Sequence, residues 1–137
     1  MEKKLKTIDL FAGVGGIRIG FENAGFQTVF ANDFEPKCKD TYDLNVNNED
    51  IKLTIADINE IKIEDIPEFD ILLGGFPCQP FSIACHRKGF NDEGRGDLFF
   101  RIAEILKKRK PKAFLLENVK NLKGHDKGRT FKIISDT

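Results

Sequence analysis

Short apolar runs recur along this chain at intervals that each leave room for one helix. Residues 6–11 (Lys-Thr-Ile-Asp-Leu-Phe) predict a first strand. Residues 15–24 predict a helix with Ile17, Phe21 and Ala24 on one face, ended by Gly25. Residues 27–32 predict a second strand, and Pro36 suits the first turn of a helix reaching about Leu44. Third and fourth strands are expected at 52–56 and 69–73. A helix over 97–109 turns Leu98, Ile102, Ile105 and Leu106 inward and stops at Pro111; a fifth strand covers 112–116. A further helix begins at Thr130. Strands alternating with helices predict an α/β fold, a doubly wound and mostly parallel sheet of the Rossmann-like kind.

Ligands bind such sheets at the carboxyl ends of the strands. Here the polar and glycine clusters fall at those ends: Phe11-Ala-Gly, Asn32-Asp33, Asp57, Gly75-Phe-Pro-Cys78 and Glu117-Asn118. Packing alone gives no reason for five such clusters on one rim.

The chain's 137 residues suffice for one domain with a core. No apolar run approaches a membrane span, and the start, Met1-Glu-Lys-Lys-Leu-Lys, carries no signal-peptide region. The expected location is cytoplasmic. Net charge is zero but uneven: residues 1–85 hold 8 Lys+Arg against 15 Asp+Glu, and residues 86–137 hold 14 against 7. A basic second half suits a polyanion. The bland reading of Lys107-Lys108-Arg109-Lys110 is a solvated helix face. Three cysteines, Cys38, Cys78 and Cys85, do not make a disulfide framework, and their spacing to His86 and His125 fits no standard zinc pattern.

Gly13-Val14-Gly15-Gly16 lies between the first strand and the first helix. Glycines there admit a tight turn and a close ligand. The dinucleotide fingerprint GxGxxG fails, because Arg18 takes the sixth place from Gly13, and no Walker A loop exists. A nucleoside ligand without pyrophosphate fits better. Asp33, at the end of the second strand, is placed to accept from ribose hydroxyls. Phe34 beside it offers a ring to pack on adenine. Asp57 offers an acceptor for an adenine amino group. Each acid by itself is more often a cap or a solvated group; loop and acids together favour an adenosine-type cofactor.

Gly74-Gly75-Phe76-Pro77-Cys78-Gln79-Pro80-Phe81-Ser82 presents a thiol between glycines and prolines just past a buried strand. A free cysteine is ordinarily a small buried hydrophobe, the reading preferred for Cys38 and Cys85. Cys78 reads as a nucleophile, for which its pKa must fall from about 8.5. No histidine stands at a cysteine-hydrolase spacing. Glu117, with Asn118 beside it, offers a carboxyl group able to give or take a proton across the same rim; the alternative is a helix cap.

Asp9-Leu-Phe-Ala-Gly-Val-Gly-Gly16, Gly75-Phe-Pro-Cys-Gln-Pro-Phe-Ser82 and Glu117-Asn-Val119 resemble, in order, three conserved motifs of the cytosine-C5 DNA methyltransferases of bacterial restriction-modification systems. The resemblance covers essentially the whole chain. It implies an enzyme that transfers a methyl group from S-adenosylmethionine to C5 of cytosine in double-stranded DNA. Phe11, Ala12, Gly13, Gly15, Gly16, Asp33, Phe34, Asp57, Ile58 and Pro77 would hold that cofactor. Cys78 would attack C6 of a cytosine flipped from the duplex, Glu117 would protonate or hydrogen-bond N3, and Asn118 would help place the Cys78 loop. Gln79 and Ser82 would stand on the substrate side, and residues 82–97, with Arg87, Lys88 and Arg95, resemble the mobile loop that closes over the flipped base. The chemistry stands independently, since C5 becomes nucleophilic only after addition at C6. The family pattern continues past residue 137: no Gln-x-Arg-x-Arg block and no late Asn-containing motif is found. Residues 1–137 therefore read as the N-terminal part of a catalytic domain without its target-recognition domain, and a second chain supplying the rest is an expected partner. An RNA cytosine-C5 methyltransferase and a non-catalytic complementing half are the alternatives. A zinc deaminase is set aside, for want of His-x-Glu and with Phe81 where its second cysteine belongs.

Overall fold

The computed structural model describes residues 4–46, 51–77 and 98–137. Its elements are β1 (Lys6–Leu10), α1 (Gly16–Asn23), β2 (Gln27–Asp33), α2 (Lys39–Asn45), β3 (Thr54–Ile55), β4 (Ile71–Gly74), α3 (Leu98–Arg109), β5 (Ala113–Leu116) and α4 (Arg129–Asp136). The strands form one parallel sheet in the order β3-β2-β1-β4-β5. The chain thus winds outward from β1 through β2 to β3, then returns to the other side of β1 for β4. The carboxyl ends of β1 and β4 part at this reversal, where open α/β sheets bind ligands.

β1 is central, and Thr7 through Leu10 are all buried. Strand alternation sends Ile8 and Leu10 to one face and Thr7 and Asp9 to the other. Ile8 and Leu10 pack with Leu72 of β4, with Phe99, Ile102 and Ile105 of α3, and with Ile58, Ile63 and Ile66. Each such side chain contributes about 1.5–3 kcal/mol on burial. A smaller cluster gathers Ala31, Tyr42, Val46 and Leu53. Register pairs Asp9 with Ala31, so Asp9 faces the side of this second cluster.

The elements follow the sequence expectation with instructive departures. β3 is shorter than the predicted 52–56 because the backbone of Leu53 is claimed by α2. Its N–H donates to Asp43 Oδ1 and its carbonyl accepts from Lys39 Nζ. Only Thr54 and Ile55 remain to pair with β2. The second helix opens as a 3-10 turn over Pro36–Cys38, where the Glu35 side chain accepts from the Lys37 N–H. In α1 the buried residue is Arg18, whereas Ala24 is exposed and Ile17 and Phe21 are half-buried. Arg18 turns inward because Glu22 of its own helix, Tyr42 of α2 and the Ile51 carbonyl receive it, as detailed below.

Candidate active site

The loop after β1 runs through left-handed backbone at Phe11, Gly13 and Gly15, with φ of 55°, 55° and 89°. Such angles are costly for ordinary residues and free for glycine. Hydrogen bonds then stitch the loop to the end of β2. The Ala12 N–H donates to the Asn32 carbonyl at 3.0 Å, and the Gly13 N–H to Asp33 Oδ2 at 2.8 Å. Asp33 Oδ1 accepts from the Glu35 N–H at 2.8 Å. Each carboxylate oxygen can accept twice, so Asp33 fixes the loop and keeps acceptor capacity for a ligand. Phe34 beside it is 65% exposed, an uncovered ring next to a held carboxylate. A methyl group on Gly13 or Gly16 would meet nothing within 4 Å, so open space lies before both.

Asn32 and Asp33 divide the labour of their cluster. Asn32 is buried, and its Nδ2 donates to the carbonyls of Thr54 at 3.1 Å and Ala56 at 2.9 Å. That bond pair places the turn bearing Asp57, whose Oδ1 accepts from the N–H and the amide of Asn59. Ile58, expected at the cofactor, is 2% exposed and packs in the main core. Its side chain turns inward, and its carbonyl accepts from Arg101 of α3.

Across the reversal, β4 delivers Gly75, Phe76 and Pro77 to the same rim. Phe76 is buried with its ring 5.8 Å from that of Phe99, and Pro77 is exposed. The Glu117 N–H donates to the Gly74 carbonyl at 2.9 Å. Asn118 Nδ2 donates to the Phe76 carbonyl at 2.8 Å, two residues before Cys78, while its Oδ1 accepts from the Val119 N–H. A methyl group on Gly75 would lie 3.5 Å from Glu117 Oε2 and 3.9 Å from the Phe11 carbonyl oxygen. The ends of β1, β4 and β5 therefore converge on Gly75. Cys78, Gln79, Ser82, Arg87, Lys88 and Arg95 lie outside the described residues, as does Cys85. Cys38 is half-buried against the second cluster.

Three residues near the rim escaped the sequence reading: Asp9, Arg18 and Tyr42, all fully buried. Burial pushes the Asp9 carboxyl up to about 7, opposed by the Arg18 charge and reinforced by Asp33 and Glu22. Neither Asp9 oxygen has a hydrogen-bond partner among the described residues. Burial works against the Arg18 charge, and hydrogen bonds to Tyr42 and Glu22 outweigh it. Burial likewise holds the Tyr42 hydroxyl in its protonated form. The usable signal was the lone acid between Ile8 and Leu10 in a strand predicted to be buried.

The fold is Rossmann-like, and it is the fold of solved methyltransferases. The S. pombe Dnmt2 methyltransferase superposes with a TM-score of 0.67 at 20% identity, covering 97% of this chain and 39% of that one. The Entamoeba histolytica methyltransferase EhMeth gives 0.69 at 22% identity, covering 98% of this chain and 43% of that one. The chain belongs to the C-5 cytosine-specific DNA methylase family, whose family model matches residues 5–137. It is 54% identical over 131 residues to the type II methyltransferase M.Bsp6I of Bacillus sp. (strain RFL6), covering 95% of this chain and 41% of that protein. To the type II methyltransferase M.HaeII of Haemophilus aegyptius it is 55% identical over 134 residues, covering 98% and 41%. The chain spans about two fifths of the length of the relatives it matches.

Proposed function

We propose that this chain carries the cofactor-binding and nucleophile-bearing part of an enzyme that methylates C5 of cytosine in double-stranded DNA, with S-adenosylmethionine as methyl donor. The observation that carries the reading is the convergence on Gly75 of the glycine loop, the approach to Cys78 and the Glu117 carboxyl. A second segment or chain supplies target recognition. The residues present fit the cofactor: Asp33 would accept from ribose hydroxyls, Phe34 would cover the adenine, and Asp57 would accept from its amino group. The open backbone at Gly13 and Gly16 lets the ligand lie close.

When bound, S-adenosylmethionine supplies an electrophilic methyl group. The Cys78 thiolate adds to C6 of a cytosine turned out of the duplex. Glu117 protonates or hydrogen-bonds N3, which takes up the negative charge that the addition drives into the ring. C5, now nucleophilic, would take the methyl group as its bond to the sulfonium sulfur breaks, and the sulfur would leave as the neutral thioether of S-adenosylhomocysteine. Loss of the C5 proton to a base then expels the Cys78 thiolate and restores the double bond. Asn118 holds the Phe76 carbonyl and so sets where the Cys78 loop leaves β4.

The test is trapping on a duplex containing 5-fluorocytosine with cofactor present, with this chain alone and with a polypeptide carrying the remaining length of a relative. A fluorine at C5 blocks the last elimination, so a stable adduct is expected that Cys78→Ser removes. An adduct formed only on RNA moves the substrate assignment. No adduct in either setting, with cofactor bound, overturns the catalytic reading and leaves a binding module.

A further inference from the structure

Among the described residues Arg18 is the largest side chain to be completely buried, at 0% exposure. Its Nε donates to Glu22 Oε1 at 2.8 Å, and its Nη1 donates to Tyr42 Oη at 3.1 Å and to the Ile51 carbonyl at 2.9 Å. Its guanidinium carbon lies 5.5 Å from the centre of the Tyr42 ring. One cation thus ties α1 to α2 and to the segment entering β3. Burying a guanidinium is expensive, and an apolar residue of similar volume often does as well for stability. What the ion contributes here is a fixed position for its partners.

The partner that matters is Tyr42. A methyl group on Gly15 would sit 3.2 Å from both Cδ2 and Cε2 of that ring. Gly15 is the left-handed residue that opens α1, and no side chain caps it. The ring is therefore the floor against which the glycine loop turns. With its hydroxyl held by Arg18, the ring cannot retreat without breaking a buried charged hydrogen bond. The charged and titratable groups around this point are Asp9 of β1, Glu22 of α1, Asp33 of β2 and Tyr42 of α2.

We infer that Arg18 and Tyr42 are positioning residues for the cofactor. The pinned ring sets the height of the Gly13–Gly15 turn and with it the grip of the loop and Asp33 on the ligand. This rests on the cofactor reading above.

The experiment is calorimetric titration of S-adenosylhomocysteine into this chain, under conditions where circular dichroism shows every variant folded. Tyr42→Leu and Arg18→Met are expected to raise Kd about tenfold, and Tyr42→Phe, which keeps the ring but removes the hydroxyl that Arg18 holds, about three- to tenfold. Arg18→Lys is expected to recover part of the loss. Ile105→Val lowers stability from the other face of the sheet and is expected to leave Kd unchanged. Amide exchange at residues 12–16 should rise in Tyr42→Leu and not in Ile105→Val. An unaltered chain that binds, with variants that bind equally well, overturns this inference alone. An equal rise in Kd for Ile105→Val also overturns it, because the effect is then one of general stability. An unaltered chain that does not bind overturns the cofactor reading together with this one.

Discussion

The rim of the sheet is built in two different ways. On the β1–β2–β3 side the strand ends are laced to one another by bonds within the chain: Ala12 to Asn32, Gly13 to Asp33, and Asn32 to Ala56. Beneath them Arg18 and Tyr42 brace the glycine turn from the interior. On the β4–β5 side the links among the described residues are Glu117 to Gly74 and Asn118 to Phe76. β5 forms the sheet's edge, with Phe114 59% and Leu115 41% exposed. A half whose strand ends are hydrogen-bonded to one another keeps its geometry without outside help. An apolar edge strand is the part of a sheet most open to further pairing. Under the proposed function the laced half serves cofactor binding and the half with the uncovered edge serves methyl transfer, and the difference predicts that the two are separable.

Substitutions can break that comparison, and the largest expected effect is on chemistry. Cys78→Ser should lower methyl transfer more than about a thousandfold, the scale of losing a covalent nucleophile, while S-adenosylhomocysteine affinity stays within about twofold. Equal loss of both would show that the halves are not separable. On the laced side, Asp33→Ala should do the reverse. It removes the acceptor of the Gly13 and Glu35 N–H groups. It should weaken cofactor binding by about ten- to a hundredfold, a cost in the range of lost charged hydrogen bonds. Intact affinity in calorimetry would take Asp33 out of the site.

Asp9 sharpens the comparison through pH. Its carboxyl is raised from 3.8 to about 7 in the folded chain by burial. Between those values the folded state holds a proton that the unfolded state has lost. Stability from this group is complete below about pH 4, falls as pH rises, and levels off above pH 7. Asp9→Asn removes the titration. The stability of the variant relative to the unaltered chain should therefore grow by on the order of 4 kcal/mol from pH 4 to pH 8. Urea melts at the two pH values measure this, and a constant difference would mean that folding does not shift the Asp9 pKa. The smallest effect is expected at the edge half. Asn118→Ala frees the Phe76 carbonyl and should cost about 1 kcal/mol in the same melts, with a fall in methyl transfer and no change in cofactor affinity.

Some of this was legible in the residues themselves. Apolar runs at helix-sized spacing predicted five parallel strands, because strands covered on both faces read as near-continuous apolar runs. Glycine and acid clusters at the strand ends marked the rim, since backbone conformation and acceptor chemistry are local properties. Helix faces were less legible. The three-residue and four-residue spacing in α1 pointed Ile17, Phe21 and Ala24 inward, yet Ala24 is exposed and Arg18 is buried. Periodicity assumes that charge avoids the interior, and Arg18 enters because Glu22, Tyr42 and Ile51 are there to receive it.

The sequence by itself determined the fold class, the family and the residue types at each strand end. It did so because these follow from short-range patterns and from motifs that are contiguous in the chain. Only the tertiary structure decided what those residues do for one another. Asp33 holds Gly13, Asn32 carries the Asp57 turn, Ile58 belongs to the core, and Tyr42 lies under Gly15. Each of these is a contact between residues 20 or more apart in sequence, or the burial that such contacts enforce. No local pattern encodes the third dimension in which they meet.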